Sequence, residues 1–185
     1  MIKVNNLSKE FHEQGTSNEL LAVDHVDFTI QNGSFCALVG ESGSGKSTLA
    51  QLMCGLLVPS SGEVLFEGKN ISLCRGKQKQ VLRSKIQLIL QDGKGAMDPR
   101  FTVYQIIAVL VRKHILDLLK RLHQERKMTC FFITHDLDVA LYLADRVMVM
   151  RCGKIIEDRT FHGSTDCFTH PYTKLLLNSI APYLG

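Results

Sequence analysis

The chain carries GESGSGKSTL, Gly40 to Leu49, directly after the apolar run FCALV, Phe35 to Val39. FCALV is short and apolar at every position, as a strand buried on both faces of a parallel sheet is. From Lys46 the periodicity changes: Leu49, Leu52, Met53 and Leu56 fall at helical spacing, until PSSG at Pro59 to Gly62 stops the helix. A glycine-rich loop between a buried strand and a helix is a strong constraint on architecture. It demands a sheet that delivers the loop to one edge and a helix that begins there.

GESGSGKS fits the pattern G-x-x-x-x-G-K-[ST] without a gap. Its glycines let the backbone wrap so that successive N–H groups point at phosphates, Lys46 adds a point charge at the β and γ phosphates, and the Ser47 hydroxyl can ligate Mg²⁺. Gly40, Glu41, Ser42, Gly43, Ser44, Gly45, Lys46, Ser47 and Thr48 are therefore the candidate nucleotide-binding residues. An accidental glycine-rich turn is the competing reading, and the strand before and helix after the loop argue against it. The pattern does not choose between ATP and GTP.

Other segments fit the same architecture. IKVNNLSKEF and VDHVDFTI read as N-terminal strands, the second with Val26, Phe28 and Ile30 on one face, followed by an Asn-Gly turn in QNGS. GEVLFEGKNI reads as a strand with its turns, KQKQVLRSK as a short basic helix or loop, and IQLIL, Ile86 to Leu90, as a second buried strand closed by the loop-rich QDGKGAMDPR. HILDLLKRLHQER places Ile115, Leu118, Leu119 and Leu122 on one helical face, and CFFIT, Cys130 to Thr134, is a third apolar strand. DLDVALYLADR repeats helical spacing through Leu137, Ala140, Leu141 and Ala144, with Asp136 where a helix dipole favours an anion. Two strands, RVMVMR and GKIIED, and a helix around Tyr172 to Ile180 follow. Alternating strands and helices predict a single α/β domain with a mainly parallel, P-loop type sheet and an antiparallel N-terminal β subdomain.

Composition excludes several classes. The 185 residues suffice for one domain, and 45% apolar with 22% charged residues is the balance of a folded globular chain. The longest apolar run is IIAVLV, Ile106 to Val111, far short of the roughly 20 residues needed to cross a bilayer. MIKVNNLSKEF shows no secretory signal, so the cytosol is the expected compartment. A formal charge of +4, spread over 22 basic and 18 acidic residues, is an ordinary solvated surface and predicts no nucleic-acid partner. Cys36, Cys54, Cys74, Cys130, Cys152 and Cys167 form no C-x-x-C pair, and buried free thiols are expected rather than zinc, iron–sulfur or disulfide sites.

A P-loop nucleotidase also needs a carboxylate at the end of a neighbouring buried strand to hold Mg²⁺, and a group to orient the attacking water. None of the 18 acidic residues directly follows FCALV, IQLIL or CFFIT, the three apolar strands read as buried. Asp92 is separated from IQLIL by Gln91, Asp136 is separated from CFFIT by His135, and Glu157 follows only two apolar residues. The strand tips offer Gln91 and His135 instead.

With these residues in view, the chain resembles the ATP-binding subunit of an ABC transporter. The likeness rests on Phe11 after LSKE, GESGSGKSTL, LILQD with Gln91, FITHDLDVALYLADRVMVM with His135, GKIIE, and the closing HPYTKLLLNSI. HPYTKLLL and LILQDGKGAMDPRFTV resemble the oligopeptide, dipeptide and nickel importer branch. The resemblance implies ATP and Mg²⁺ as cofactors, Phe11 stacked on adenine, Ser47 and Gln91 at the magnesium ion, and His135 at the γ-phosphate as the one catalytic candidate. It also implies transmembrane permease subunits and a second ATP-binding subunit as partners, on the inner face of the cell membrane. Read alone, Phe11 is a core aromatic, Gln91 a strand cap and His135 a surface histidine. A module that binds nucleotide or occupies the transporter's docking site without turning over is the alternative reading; a small P-loop kinase also fits the length, but the apolar stripe of RKHILDLLKRLHQER makes it a core helix before a lid.

The chain departs from that family between Gln91 and His135. The family carries there a helical subdomain, an LSGGQ signature, an apolar strand ending in Asp-Glu and a turn ending in Leu-Asp. This sequence has 14 glycines and no Gly-Gly pair. The expected seam of this internal truncation lies between Ala108 and Val109, with on the order of 70 residues absent, about half a typical domain. The lost strand belongs between IQLIL and CFFIT, so two apolar edges are expected to be exposed or to pair with each other.

Overall fold

A computed structural model describes residues 1–12, 19–86 and 102–178. IQLIL beyond Ile86, Gln91 and Asp92 lie outside the described residues.

The N-terminal half forms an antiparallel sheet from β1 (Ile2–His12), β2 (Glu19–Ile30), β4 (Ser61–Phe66) and β5 (Lys69–Asn70), in the order β2-β1-β4-β5. Val26, Phe28 and Ile30 of β2 are all buried, as their alternation predicts. The second sheet has the order β6-β3-β7-β8, from β3 (Phe35–Val39), β6 (Cys130–Thr134), β7 (Arg146–Arg151) and β8 (Lys154–Thr160). β3 runs parallel to both β6 and β7, while β8 turns back antiparallel on β7.

β3 divides the core. Cys36 and Leu38 face the antiparallel sheet and α1 (Lys46–Met53), packing with Val4, Leu7, Val26, Leu49, Leu52, Met148 and Met150. Phe35, Ala37 and Val39 face the other way, against α3 (Thr102–Arg126) and α4 (Leu137–Leu143). A strand with apolar residues on both faces is what a three-layer arrangement requires. Phe28 of β2 stacks on Phe131 of β6 with centroids 5.8 Å apart, and Arg146 of β7 joins the sheets. Its guanidinium grips both carboxylate oxygens of Asp158, at 2.7 and 2.5 Å, and donates to the Thr29 carbonyl at 2.5 Å.

Several boundaries differ from the sequence reading. α1 ends at Met53 rather than running to Pro59, because Gly55 takes φ 64° and its N–H bonds the Leu52 carbonyl at 3.1 Å, a left-handed stop that leaves Leu56 exposed. KQKQVLRSK falls in α2 (Gly76–Lys85). α3 runs through both Ala108 and Val109 as one helix and buries Leu116, with Leu119 and Leu122 half-buried. Ile115 and Leu118, expected inside, are 52% and 44% exposed. The face that packs is rotated: the Lys120 ammonium lies 4.7 Å over the Tyr142 ring and His123 meets Phe35 edge-on at 5.1 Å. In α4, Val139 and Leu143 are buried beside Leu137 and Ala140, whereas Leu141 is half-buried. α5 (Pro171–Asn178) closes the described chain. Among the described residues β6 has a strand on one side only, and Cys130, Phe131, Phe132 and Ile133 are half-buried.

Candidate functional site

The loop from Gly40 to Gly45 leaves the C-terminal end of β3 and enters α1 at Lys46. Two glycines are sterically required. A Cβ on Gly40 would come within 2.2 Å of the Met150 carbonyl oxygen, and one on Gly45, at φ 104°, within 2.1 Å of the Ala22 carbonyl oxygen. Gly43, at φ 81°, faces open space and needs glycine for its backbone alone.

The Lys46 ammonium folds back into the loop. Nζ donates to the Gly40 carbonyl at 2.8 Å, the Glu41 carbonyl at 2.6 Å and Ser44 Oγ at 3.1 Å. Burial lowers its pKa below the ordinary lysine value, and the Glu41 carboxylate counters part of that shift. Ser44 is buried, while Ser42, Gly43 and Ser47 are exposed and Thr48 is half-exposed. Backbone amides at the start of a helix beside a cation make an anion-binding cradle.

The parallel register places His135 at the same edge. Val39 pairs with Thr134, so the residues that follow, Gly40 and His135, emerge side by side. His135 is exposed, its Nε2 3.3 Å from Asp136 Oδ1, and the buried Thr134 hydroxyl accepts the Asp136 N–H at 3.0 Å. Phe11 pairs with Leu20 on β2, two residues before the Ala22 that abuts Gly45. It therefore lies about 7 Å along the strand from the loop. Its ring is 38% exposed, with the Lys9 ammonium 5.2 Å from the centroid, rather than in the core. Gln91, the other strand-tip candidate, falls outside the described residues. Among the described residues no group of three His, Cys, Asp or Glu side chains is placed to hold a metal ion. All six thiols are free, with Cys36 and Cys74 buried, Cys152 exposed and the others in between.

Sequence reasoning missed the support beneath the loop. The tight turn between β7 and β8 docks there: the Gly153 N–H donates to the Ser44 carbonyl at 3.0 Å, and the Gly153 carbonyl accepts the Asp24 N–H at 2.9 Å. Gly153 has φ 80° and Cys152 φ 47°, so the signal was a Cys-Gly pair between two strands. Tyr172, from the closing segment, packs under Arg151 of the same hairpin, its ring centroid 4.6 Å from the guanidinium carbon.

A family model described as ABC transporter matches residues 23–149. The oligopeptide transport ATP-binding protein OppF of Streptococcus mutans is 28% identical over 255 residues, covering 97% of this chain and 81% of that protein. The chain has 185 residues, so at least 70 positions of that alignment face no residue here. The oligopeptide transport ATP-binding protein AppF of Bacillus subtilis is 28% identical over 233 residues, covering 88% and 71%. Among solved structures, a dimeric ATP-binding cassette in a post-hydrolysis state bound to ADP and Pi superposes with a TM-score of 0.66 at 19% identity, covering 89% of this chain and 100% of that one. At that identity the likeness speaks for the fold alone.

Proposed function

The chain belongs to the ABC transporter family, and on that premise we propose that it is an ATP-binding subunit of the peptide-importer type, which holds nucleotide at Gly40–Ser47 and hydrolyses it at no more than background rate. The observation that carries the reading is the Lys46 ammonium, bonded to three oxygens of its own loop between a buried strand and a helix. A cation held only by neutral oxygens of its own loop has no carboxylate to give up when it turns to a phosphate.

On nucleotide entry Lys46 would exchange the Gly40 and Glu41 carbonyls for β and γ phosphate oxygens, and the first amides of α1 would receive the same charge. The Phe11 ring, partly exposed, is offered to adenine, and His135, beside Gly40 at the strand ends, to the γ-phosphate. Bound MgATP supplies the phosphoanhydride bond that the family splits. Ser47 would hold Mg²⁺ with Gln91 as a second ligand; without a strand-end carboxylate that site is weak, so ATP affinity should depend little on Mg²⁺.

Hydrolysis is set aside for what the sequence lacks. The proposed seam lies between Ala108 and Val109, and the unmatched positions of the OppF alignment are about as many as a helical subdomain, signature and Asp-Glu strand would fill. A missing general base alone costs roughly 10² to 10⁴ in rate. No helix among the described residues is long and apolar enough to cross a membrane, which fits a peripheral subunit joined to permease subunits and to a second ATP-binding subunit at the inner membrane face. Peptides are the proposed cargo, from the names of the relatives. Nickel or a metal chelate is the second reading, carried by the likeness of HPYTKLLL to that branch.

The test is ATP binding and phosphate release by the purified chain and by Lys46→Ala. We expect saturable ATP binding that Lys46→Ala abolishes, with phosphate release equal in both. Equal binding by Lys46→Ala sinks the loop assignment, and release well above that of Lys46→Ala sinks the non-hydrolysing reading.

A further inference from the structure

The β7–β8 hairpin touches the phosphate loop at both ends. The Met150 carbonyl excludes a Cβ on Gly40, and the Gly153 N–H donates to the Ser44 carbonyl at 3.0 Å. β2 closes the third side: the Ala22 carbonyl excludes a Cβ on Gly45 and lies 3.2 Å from where one on Gly153 would stand, so a single carbonyl contacts both the loop and the turn.

The Gly153 bond governs an amide that a phosphate would need. Ser44 and Gly45 share one trans peptide, so the Ser44 carbonyl and the Gly45 N–H point in opposite directions. Fixing the carbonyl on the hairpin therefore fixes the N–H facing away from it. Among the described residues the Gly45 N–H has no backbone partner, unlike the Ser44 N–H, which bonds the Glu41 carbonyl at 3.2 Å. It is a donor left open directly before Lys46, where α1 begins.

Asp24 holds the turn that carries Gly153. Arg151 and Lys154 are register partners, and Cys152 and Gly153 between them have φ 47° and 80°, as a tight hairpin turn requires. Asp24 grips this turn twice: its N–H donates to the Gly153 carbonyl at 2.9 Å, and its Oδ2 lies 3.1 Å from the Lys154 ammonium. Oδ1 is 2.6 Å from His25 Nδ1. β2 has one residue more than β1 between the pairs Leu7–Val26 and Lys9–Val23, with His25 at φ 47° and its N–H on the Ser8 hydroxyl at 3.0 Å. Such a bulge re-aims side chains, and this one falls where β2 meets the turn.

We propose that Asp24 is a positioning residue for the nucleotide loop: by holding the turn at Gly153 and Lys154 it keeps the Gly153 N–H on the Ser44 carbonyl, and so keeps the Gly45 N–H turned to a bound phosphate. This deepens the reading of Gly40–Ser47 as a nucleotide site and rests on it.

Asp24→Ala keeps the backbone bond to Gly153 and removes the grip on Lys154; Lys154→Ala removes the same pair from the other side. ATP affinity should fall about three-fold in each, the scale of an ion pair near the surface, and no further in the double variant, because all three lose one and the same contact. The ¹H–¹⁵N signal of Gly45 should be displaced in both single variants without nucleotide, and should move less on ATP addition than in the unsubstituted chain. A purely structural pair would lower the melting temperature and leave ATP affinity and the Gly45 signal as they are. Unchanged ATP affinity or an unchanged Gly45 signal in Asp24→Ala overturns the proposal, and so does a double variant whose loss is the sum of the two. Should Asp24→Ala fail to fold, Lys154→Ala, at a side chain 63% exposed, decides on the same two readings. No response to ATP in the unsubstituted chain overturns the nucleotide reading itself, and this proposal with it.

Discussion

Val39 and Thr134 are register partners across the parallel pair β3 and β6, so Gly40 and His135 leave the sheet next to each other. The loop and the histidine are 90 residues or more apart in sequence, and one pairing brings them to a common edge. Ligands of open α/β sheets bind at such carboxyl ends of strands. His135 is exposed and supports no core contact, so His135→Ala should change stability by less than about 0.5 kcal/mol. The same substitution should weaken ATP binding and spare ADP binding, since only ATP carries the γ-phosphate. Calorimetric titration with both nucleotides checks this, and equal losses for the two would remove His135 from that position.

The glycines of the loop differ in what they tolerate. Gly45 combines φ 104° with a carbonyl oxygen 2.1 Å from where its Cβ would stand, whereas Gly43 has φ 81° and empty space. Gly43→Ala should cost about 1 kcal/mol of backbone strain. Gly45→Ala should cost about 3 kcal/mol or more, because β2 must move as well. Urea midpoints of the two variants test the order; Gly43→Ala as damaging as Gly45→Ala would mean that strain, not contact, decides.

Much of this arrangement was readable in the sequence. FCALV followed by GESGSGKS gave strand, loop and helix, because the motif needs all three and each has its own local signature. CFFIT with His135 was readable as a strand and its tip, but nothing local says that it pairs with FCALV rather than with IQLIL. Parallel pairing is fixed by tertiary packing, not by a turn. The Gly153 and Tyr172 supports were hidden for the same reason: their partners, Ser44 and Arg151, are distant in sequence. The stop of α1 at Gly55 was misread because apolar Leu56 continued the helical period past a glycine that the backbone uses to turn.

The packing face of α3 was also misread, and the error yields a prediction. Period alone cannot fix which of two adjacent apolar rows faces inward; Leu116 does, while Ile115 and Leu118 point outward. Leu116→Ala should therefore cost about 2–3 kcal/mol through the cavity it leaves against Phe35 and Val139. Ile115→Gln and Leu118→Gln should cost under about 1 kcal/mol each. Denaturant unfolding of the three variants discriminates the faces, and a loss at Ile115 or Leu118 as large as that at Leu116 would show both rows buried in solution.

Glu157 makes the fold's acid limit predictable. Its carboxylate is almost wholly buried, and Oε1 accepts the Thr169 N–H at 2.7 Å, the His170 N–H at 3.3 Å and the Thr169 hydroxyl at 3.3 Å, with Arg159 Nε at 3.5 Å. The Thr173 hydroxyl lies beside the carboxylate without closing a bond of good geometry, which leaves Oε2 unpaired. Burial pushes this carboxyl up, but Thr173 and the Thr169 and His170 donors pull harder, and the net pKa lies below the ordinary glutamate value. The folded pKa is thus lower than the unfolded one. The stabilisation from ionised Glu157 is complete above the unfolded value of about 4.3 and fades as pH falls through the lower folded value. Glu157→Gln should be less stable than the unsubstituted chain by about 1–3 kcal/mol at pH 7, having exchanged charge-assisted bonds for neutral ones. Because the amide does not titrate, the difference should narrow below pH 4, as the glutamate itself becomes neutral. Urea unfolding of both chains at pH 7 and at pH 3.5 measures it. A difference that stays constant would show that the carboxylate contributes nothing by its charge, and that the contacts joining β8 to the start of α5 hold through geometry alone.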